Sequence, residues 1–444
     1  MKKIGSLGMC FFAFLTPFTA SSLLNELTPV LPFGTAVSSL VFVLYIFSIA
    51  YYGKIYLTKE SKTVLLTTLI PLVLSTSVVL FNLFILDDLE YFVYIDDKFW
   101  TRLVNYVLYI SIFIFGNSVM SRNDASQNLK IANAYLMGIC VLAGIGIWQF
   151  LNFYFGVPIF DLQARTHIHG VDSISGLFFN KRLTSLTSEP SYLASFLIDG
   201  LIVAWALIPK SRLAKTSMVA ISFVLIFSFS SGGYVNAIIL AMIIFFVPGM
   251  FKFRHKSKVG LSAAVMASVS LFAWKDKIVV FFYPFIGRLG NLMTLEYGRV
   301  YSSIMPLVWI TEKSALNLFF GFGPGSYKYA SLIKQGSRGQ YVNETSNNVF
   351  GDITFEMGII GLIAISFMFI YLFRTAYSQI GYSRYRKVAF LLINHLAISS
   401  MYRADFVSPR FWLVLILIVL FLNLGESEEF CKHVIQVDEG SILK

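Results

Sequence analysis

Long apolar runs separated by short polar connectors fill most of this chain. They fall at residues 7–24, 33–52, 64–86, 103–120, 131–155, 192–208, 216–229, 234–251, 259–274, 350–373, 388–401 and 411–424. A helix needs about 20 apolar residues to cross a bilayer. The pattern therefore predicts an all-α polytopic membrane protein with about 12 transmembrane helices, built as one integral membrane domain over residues 1–444. The 216–251 stretch is interrupted by Ser230-Ser231-Gly232-Gly233, and its halves are short, so it reads as a hairpin or a partly re-entrant pair. Met1-Lys2-Lys3, an apolar run and Phe18-Thr19-Ala20 have the form of a signal peptide. With further apolar segments following at once, this stretch reads as an uncleaved first span.

Basic residues alternate between connectors. Lys54/Lys59/Lys62, Arg122/Lys130, Lys210/Arg212/Lys215, the 252–258 cluster and Arg374/Arg384/Arg386/Lys387 fall on every second one. Cytoplasmic loops carry such an excess, so both termini are expected on that side, with 425–444 as a cytoplasmic tail. The opposite side carries an acidic, aromatic strip from Asp87 to Trp100, as an interfacial belt would. It also carries two connectors too long for simple turns, 156–191 and 275–349. Long ordered loops are commonly functional. The larger is punctuated by Gly321-Phe322-Gly323-Pro324-Gly325 and is expected to hold short helices on the membrane surface.

Composition agrees with this reading. Hydrophobic residues make up 57% of the 444 positions and charged residues 13%, against about 25% charged in an average soluble domain. The net charge of +11 is largely accounted for by loop anchoring and calls for no nucleic acid. The three cysteines, Cys10, Cys140 and Cys431, form neither a disulfide framework nor a zinc spacing.

The outer connectors are nonetheless basic: Arg165, Lys181 and Arg182 in the first, Arg288, Arg299, Lys328 and others in the second, Arg403 and Arg410 in the last short turn. Guanidiniums suit phosphate oxygens, and a lipid-linked pyrophosphate would fit. Anchoring to lipid headgroups or pairing with loop carboxylates is the plainer alternative. Residues 180–191, ending Ser188-Glu189-Pro190-Ser191, lead into a span. Ser188 or Glu189 can cap that helix with Pro190 in its first turn. Alternatively, Glu189 is a carboxylate at the membrane face near Arg182, suited to act as a base. Asp352 and Glu356 are four apart and share a helix face. Ionisable groups inside a membrane are costly and usually functional; pairing with Arg288, Arg299 or Arg403 would be the structural explanation. Gly358 and Gly361 suit close helix packing. His167-Ile168-His169 near two aspartates is a weak metal signal, and Asp88-Leu89-Glu90 fits both an acidic metal-binding motif and the edge of the aromatic belt.

These residues together carry a family likeness. The basic-to-Ser-Glu-Pro-Ser entry into a middle span, Gly298-Arg299 followed by Gly321-Phe322-Gly323-Pro324-Gly325-Ser326-Tyr327, and Ser346-Asn347-Asn348 through Glu356-Met357-Gly358-Ile359-Ile360-Gly361 resemble the bacterial O-antigen polymerase (Wzy type) and O-antigen ligase superfamily. The resemblance covers most of the chain. It implies a metal-independent C-type glycosyltransferase with two long periplasmic loops in the bacterial inner membrane, using undecaprenyl-pyrophosphate-linked oligosaccharide as substrate and no cofactor. A chain-length regulator and a flippase would be its partners, with membrane lipids around it. Glu189 and Arg299 would be catalytic; Arg182, Arg288, Asn347, Asn348, Glu356 and Arg403 would bind substrate. Ligases and many polymerases place His-Asn at the late motif, whereas this chain has Asn347-Asn348. An amide cannot take a proton, which disfavours a ligase and leaves Glu189 as the first choice of base. A lipid-linked-oligosaccharide flippase is the alternative of another class. It would spread intramembrane charge over several helices, whereas here the charge gathers in the outer loops.

Overall fold

A computed structural model describes residues 2–27, 32–85, 94–159, 182–208, 211–250, 299–312, 314–331 and 345–442. Among them there is no strand. The helices are α1 (Lys2–Leu15), α2 (Ser22–Leu27), α3 (Phe33–Tyr52), α4 (Lys59–Ile85), α5 (Trp100–Met120), α6 (Ala125–Phe155), α7 (Pro190–Leu207), α8 (Arg212–Phe227) and α9 (Ser231–Phe246). After the large connector come α10 (Arg299–Trp309), α11 (Ala315–Phe320), α12 (Ser326–Ser331), α13 (Val349–Tyr377), α14 (Arg384–Ser400) and α15 (Pro409–Ile442).

Eight stretches are long and apolar enough to cross a membrane: Lys3–Ala20, Phe33–Tyr52, Lys59–Asn82, Ile95–Met120, Ala125–Phe155, Pro190–Leu207, Val349–Tyr377 and Pro409–Glu428. The protein is a multi-pass helical membrane protein. Eleven of the twelve expected segments fall on helices; 259–274 lies outside the described residues. The helices α8 and α9 are joined at Ser228–Ser230, with the Ser230 hydroxyl capping α9 by accepting from the Gly233 N–H, and each packs on α7. At 1.5 Å per residue their 16 residues each reach about 24 Å, short of a bilayer core of about 30 Å. The first expected segment is broken: α1 ends at Leu15 and a 3₁₀ turn, Thr16–Ala20, carries Pro17. The expected polar tail instead continues α15 to Ile442.

The centre of the bundle is α15. Every residue of 411–422 is at most 1% exposed, as befits a helix apolar all round. Against it pack α5, α14 and the Thr16–Ala20 turn, with α1 and α6 beyond. The outer helices show the opposite face. Leu40, Val43 and Phe47 of α3, Leu66, Ile70 and Val73 of α4, and Ile363, Phe367 and Ile370 of α13 are exposed at three- to four-residue spacing, an apolar stripe for lipid. Gly138 lets α1 approach α6: a Cβ there would lie 2.3 Å from the Phe14 carbonyl.

The short helices of the large connector are built into this frame. Helices α10, α11 and α12 pack on α13, and α11 also on α4. They gather at the end of the bundle where α5, α7 and α13 begin and both long connectors attach, the loop end.

Candidate active site

The late motif forms the start of α13. Asn348 is its N-cap, accepting from the Phe350 and Gly351 N–H groups at 2.9 and 3.4 Å. Asn347 before it has φ 57°, a left-handed conformation that asparagine tolerates better than most residues. The Ser346 N–H donates to Asp352 Oδ1 at 2.7 Å. One turn further, Gly358 breaks the helix with φ 72° and ψ −171°, so the carbonyls of Phe355 and Glu356 lose their helical donors. The glycine loop supplies replacements: Phe322 N–H to Phe355 at 2.9 Å, Gly323 N–H to Glu356 at 3.0 Å. The Ser75 hydroxyl of α4 also donates to the Glu356 carbonyl. Side chains would prevent this docking, since a Cβ on Gly358 would lie 2.2 Å from the Phe319 carbonyl and one on Gly321 2.3 Å from that of Glu356. Gly358 thus serves close helix packing as expected, of the end of α11 against the break in α13.

Below the loop, Glu356 is 1% exposed and paired. Its Oε1 accepts from Arg102 Nε and Nη2, both at 3.1 Å, and its Oε2 from the Tyr106 hydroxyl at 2.6 Å. Arg102 Nη2 also lies 3.7 Å from Asp352 Oδ2. The two carboxylates share a helix face as expected, and among the described residues their cation is Arg102 of the first turn of α5, not Arg403; Arg288 and the Arg299 side chain lie outside the described residues. The Arg102 side chain keeps 19% exposure, against 2–3% for its partners.

A second network starts at the entry to α7. Residues 182–189 are not a free loop: Leu183, Thr184, Ser185 and Thr187 are buried. Gln149 of α6 holds them, its Oε1 accepting from the Thr184 and Ser185 N–H groups at 2.9 Å each. Glu189 occupies the N-cap position with extended backbone and Pro190 follows in the first turn. Its side chain does not cap; Oε2 accepts from the Ser191 hydroxyl at 3.1 Å. Arg182 is half-buried at the start of the segment.

Arg403, on the connector between α14 and α15, lies across this helix end. Its Nη1 is 3.5 and 3.4 Å from the Ser191 and Tyr192 carbonyls, and its guanidinium sits 3.9 Å from the centre of the Tyr192 ring. Its Nη2 is 3.5 Å from Asp405 Oδ2. Asp405 in turn accepts from Arg410 Nη1 at 2.7 Å, and Arg410 Nε reaches Asp199 Oδ2 in mid-α7 at 2.8 Å. Tyr135 donates to the same oxygen at 2.9 Å. His395 Nε2 lies 2.9 Å from Arg410 Nη2 and 3.2 Å from Asp199 Oδ1. Two guanidiniums and two carboxylates cancel, so Arg403 and Arg410 add no net positive charge to the loop end. Charge is not confined to the outer loops: ionisable side chains are also buried on α7, α13 and α15.

The two networks meet through rings. Tyr106, which donates to Glu356, packs on Phe406, the neighbour of Asp405, with centroids 5.7 Å apart. Among the residues singled out in the sequence, Glu189 and Arg403 therefore share one helix end, Asn347, Asn348 and Glu356 another, and Phe406 joins the two. Arg299 begins α10, which packs on α13. Arg288, Arg165, His167, His169 and Asp88-Leu89-Glu90 lie outside the described residues. No family model matches this chain, and no curated protein matches it.

Arg102, Asp199 and His395 escaped the sequence reading, although one signal was present. Ser191, Ser195 and Asp199 recur every four residues on α7, and His395, Ser399 and Arg403 repeat that spacing along α14 into its connector. Two polar stripes of one period in apolar helices predict a shared buried seam. The seam forms: His395 Nε2 is 3.1 Å from the Ser195 carbonyl and Ser399 Oγ 3.5 Å from Arg410 Nη1.

Proposed function

We propose that this protein is a membrane glycosyltransferase that joins undecaprenyl-pyrophosphate-linked oligosaccharide repeat units into O-antigen or capsular polysaccharide. It works at the periplasmic face of a bacterial inner membrane, with both termini in the cytoplasm. The observation that supports this reading is convergence. The entry to α7 lies more than a hundred residues before the glycine loop and the start of α13, yet the glycine loop docks on α13 and Phe406 links that site to the network at the α7 entry. Those are the segments that resemble the polymerase and ligase superfamily.

The proposed roles follow from residue chemistry. Departing pyrophosphate develops negative charge, which fixed guanidiniums stabilise; Arg299, with Arg182 and Arg288, is assigned that task. A carboxylate in place can accept the proton of the attacking sugar hydroxyl, and half-buried Glu189 at the head of α7 is assigned it. Asn347, Asn348 and Glu356 at the start of α13 and Arg403 at the head of α7 are assigned to bind substrate, Glu356 together with the Arg102 and Tyr106 side chains that it pairs with. The reaction needs no metal in this reading.

A flippase for the same lipid-linked oligosaccharide is the second reading. It is favoured by the buried charge on several helices and by the broken helix at Gly358, both features of transporters. A deletion strain separates the two. Loss of a polymerase leaves surface glycan of a single repeat unit, loss of a flippase leaves none, and wild-type chain lengths would refute both.

A further inference from the structure

The arginines of the α7 seam differ in how well they are held. Arg410 makes contacts at 2.7, 2.8 and 2.9 Å and its burial is matched by bonding. Arg403 is as deeply buried, with a side chain 4% exposed, yet its polar contacts are all 3.4–3.5 Å. Its Nε has no hydrogen-bond partner, and neither has Oδ1 of Asp405, whose side chain is 2% exposed. Buried polar atoms are almost always satisfied by protein, water or ligand, because leaving one unpaired is costly.

We propose that Arg403 and Asp405 form a hydroxyl-binding pair at the loop end. The open atoms are one donor and one acceptor on partner side chains, which is what a hydroxyl oxygen complements. A phosphate oxygen can only accept and would face the Asp405 carboxylate; an ammonium can only donate and would face the guanidinium. The pair itself is neutral, so it selects a neutral group. Water can fill this role, and so can a hydroxyl of a saccharide. Resting on the polymerase reading, the saccharide is that of the lipid-linked repeat unit, brought to the helix end that carries Glu189. Arg403 then reads sugar, and the pyrophosphate is left to other cations. Docking a sugar ring requires the connector at 401–408 to yield; its first residue, Met401, is 61% exposed, while Arg403, Asp405 and Phe406 within it are buried.

The test uses the full-length protein in lipid nanodiscs, imaged at a resolution that shows ordered water, alone and with a lipid-pyrophosphate-linked repeat unit. Oxygen-sized density joining Arg403 Nε and Asp405 Oδ1 is expected without the glycan, and saccharide density in its place with it. A water that stays while the glycan binds elsewhere overturns the saccharide assignment; the two side chains closed on each other without density overturn the pair as a site. In parallel, binding of the same repeat unit is measured for Arg403→Lys and Asp405→Asn, variants that retain charge or shape. A weakening of about tenfold or more is expected for the loss of one buried charged hydrogen bond, and unchanged binding contradicts the proposal. Both readouts are independent of turnover, so a protein that binds the glycan without polymerising it would refute the polymerase reading alone.

Discussion

Arg410 at the head of α15 donates to Asp199 in the middle of α7, Nε to Oδ2 at 2.8 Å, with both side chains at most 2% exposed. The pair ties the central helix to the helix that presents Glu189. Removing one partner of a buried ion pair leaves the other charge uncompensated and costs about 3–5 kcal/mol. Arg410→Met is therefore expected to lower the thermal unfolding midpoint of the detergent-solubilised protein sharply, or to prevent its accumulation. Asp199→Asn keeps an acceptor and is expected to lose less.

The helix break at Gly358 supplies a second expectation. Gly358→Ala would put a Cβ against the Phe319 carbonyl in a conformation that L residues rarely adopt; strain of this kind alone costs of order 1–3 kcal/mol. Limited proteolysis should show the glycine loop released in this variant. Gly381→Ala, where nothing lies within 4 Å, is expected to change stability by no more than about 0.5 kcal/mol.

Gln149 gives a test of how the entry to α7 is held. Gln149→Leu leaves the buried Thr184 and Ser185 N–H groups without their acceptor, at about 1–3 kcal/mol for an unsatisfied group. Gln149→Glu keeps the accepting oxygen. If both variants unfold at the wild-type temperature, the 182–189 segment is not held by this side chain.

Much of the fold was legible in the apolar runs, because a helix in lipid must be apolar over about 20 residues. Eleven runs became helices. The breaks inside runs were harder to read. Pro17 and Gly358 interrupt stretches that hydropathy treats as continuous, since hydropathy sees side chains and not backbone bonding. The site was legible in part. Asp352 and Glu356 stood out as carboxylates in an apolar helix, but Arg102, which pairs with them, is some 250 residues away, and only the placement of α5 beside α13 brings it there. Asp199, His395 and Arg410 lay in view as single polar residues. Their meaning depended on two stripes facing each other, which one helix alone does not show.

The proposed roles predict a separation of activity from folding. Arg299→Ala and Glu189→Gln are each expected to abolish polymer while membrane levels of the protein stay normal, read as loss of the surface-glycan ladder beside an immunoblot. Normal polymer from either variant removes that residue from the site.

The most direct measurement is to incubate the purified protein, reconstituted in vesicles, with lipid-pyrophosphate-linked repeat units, with and without a chelator, and to size the glycan. A polymerase of the proposed kind makes multi-unit chains in equal yield in both. Repeat units that stay single, whether or not they change leaflet, would contradict it.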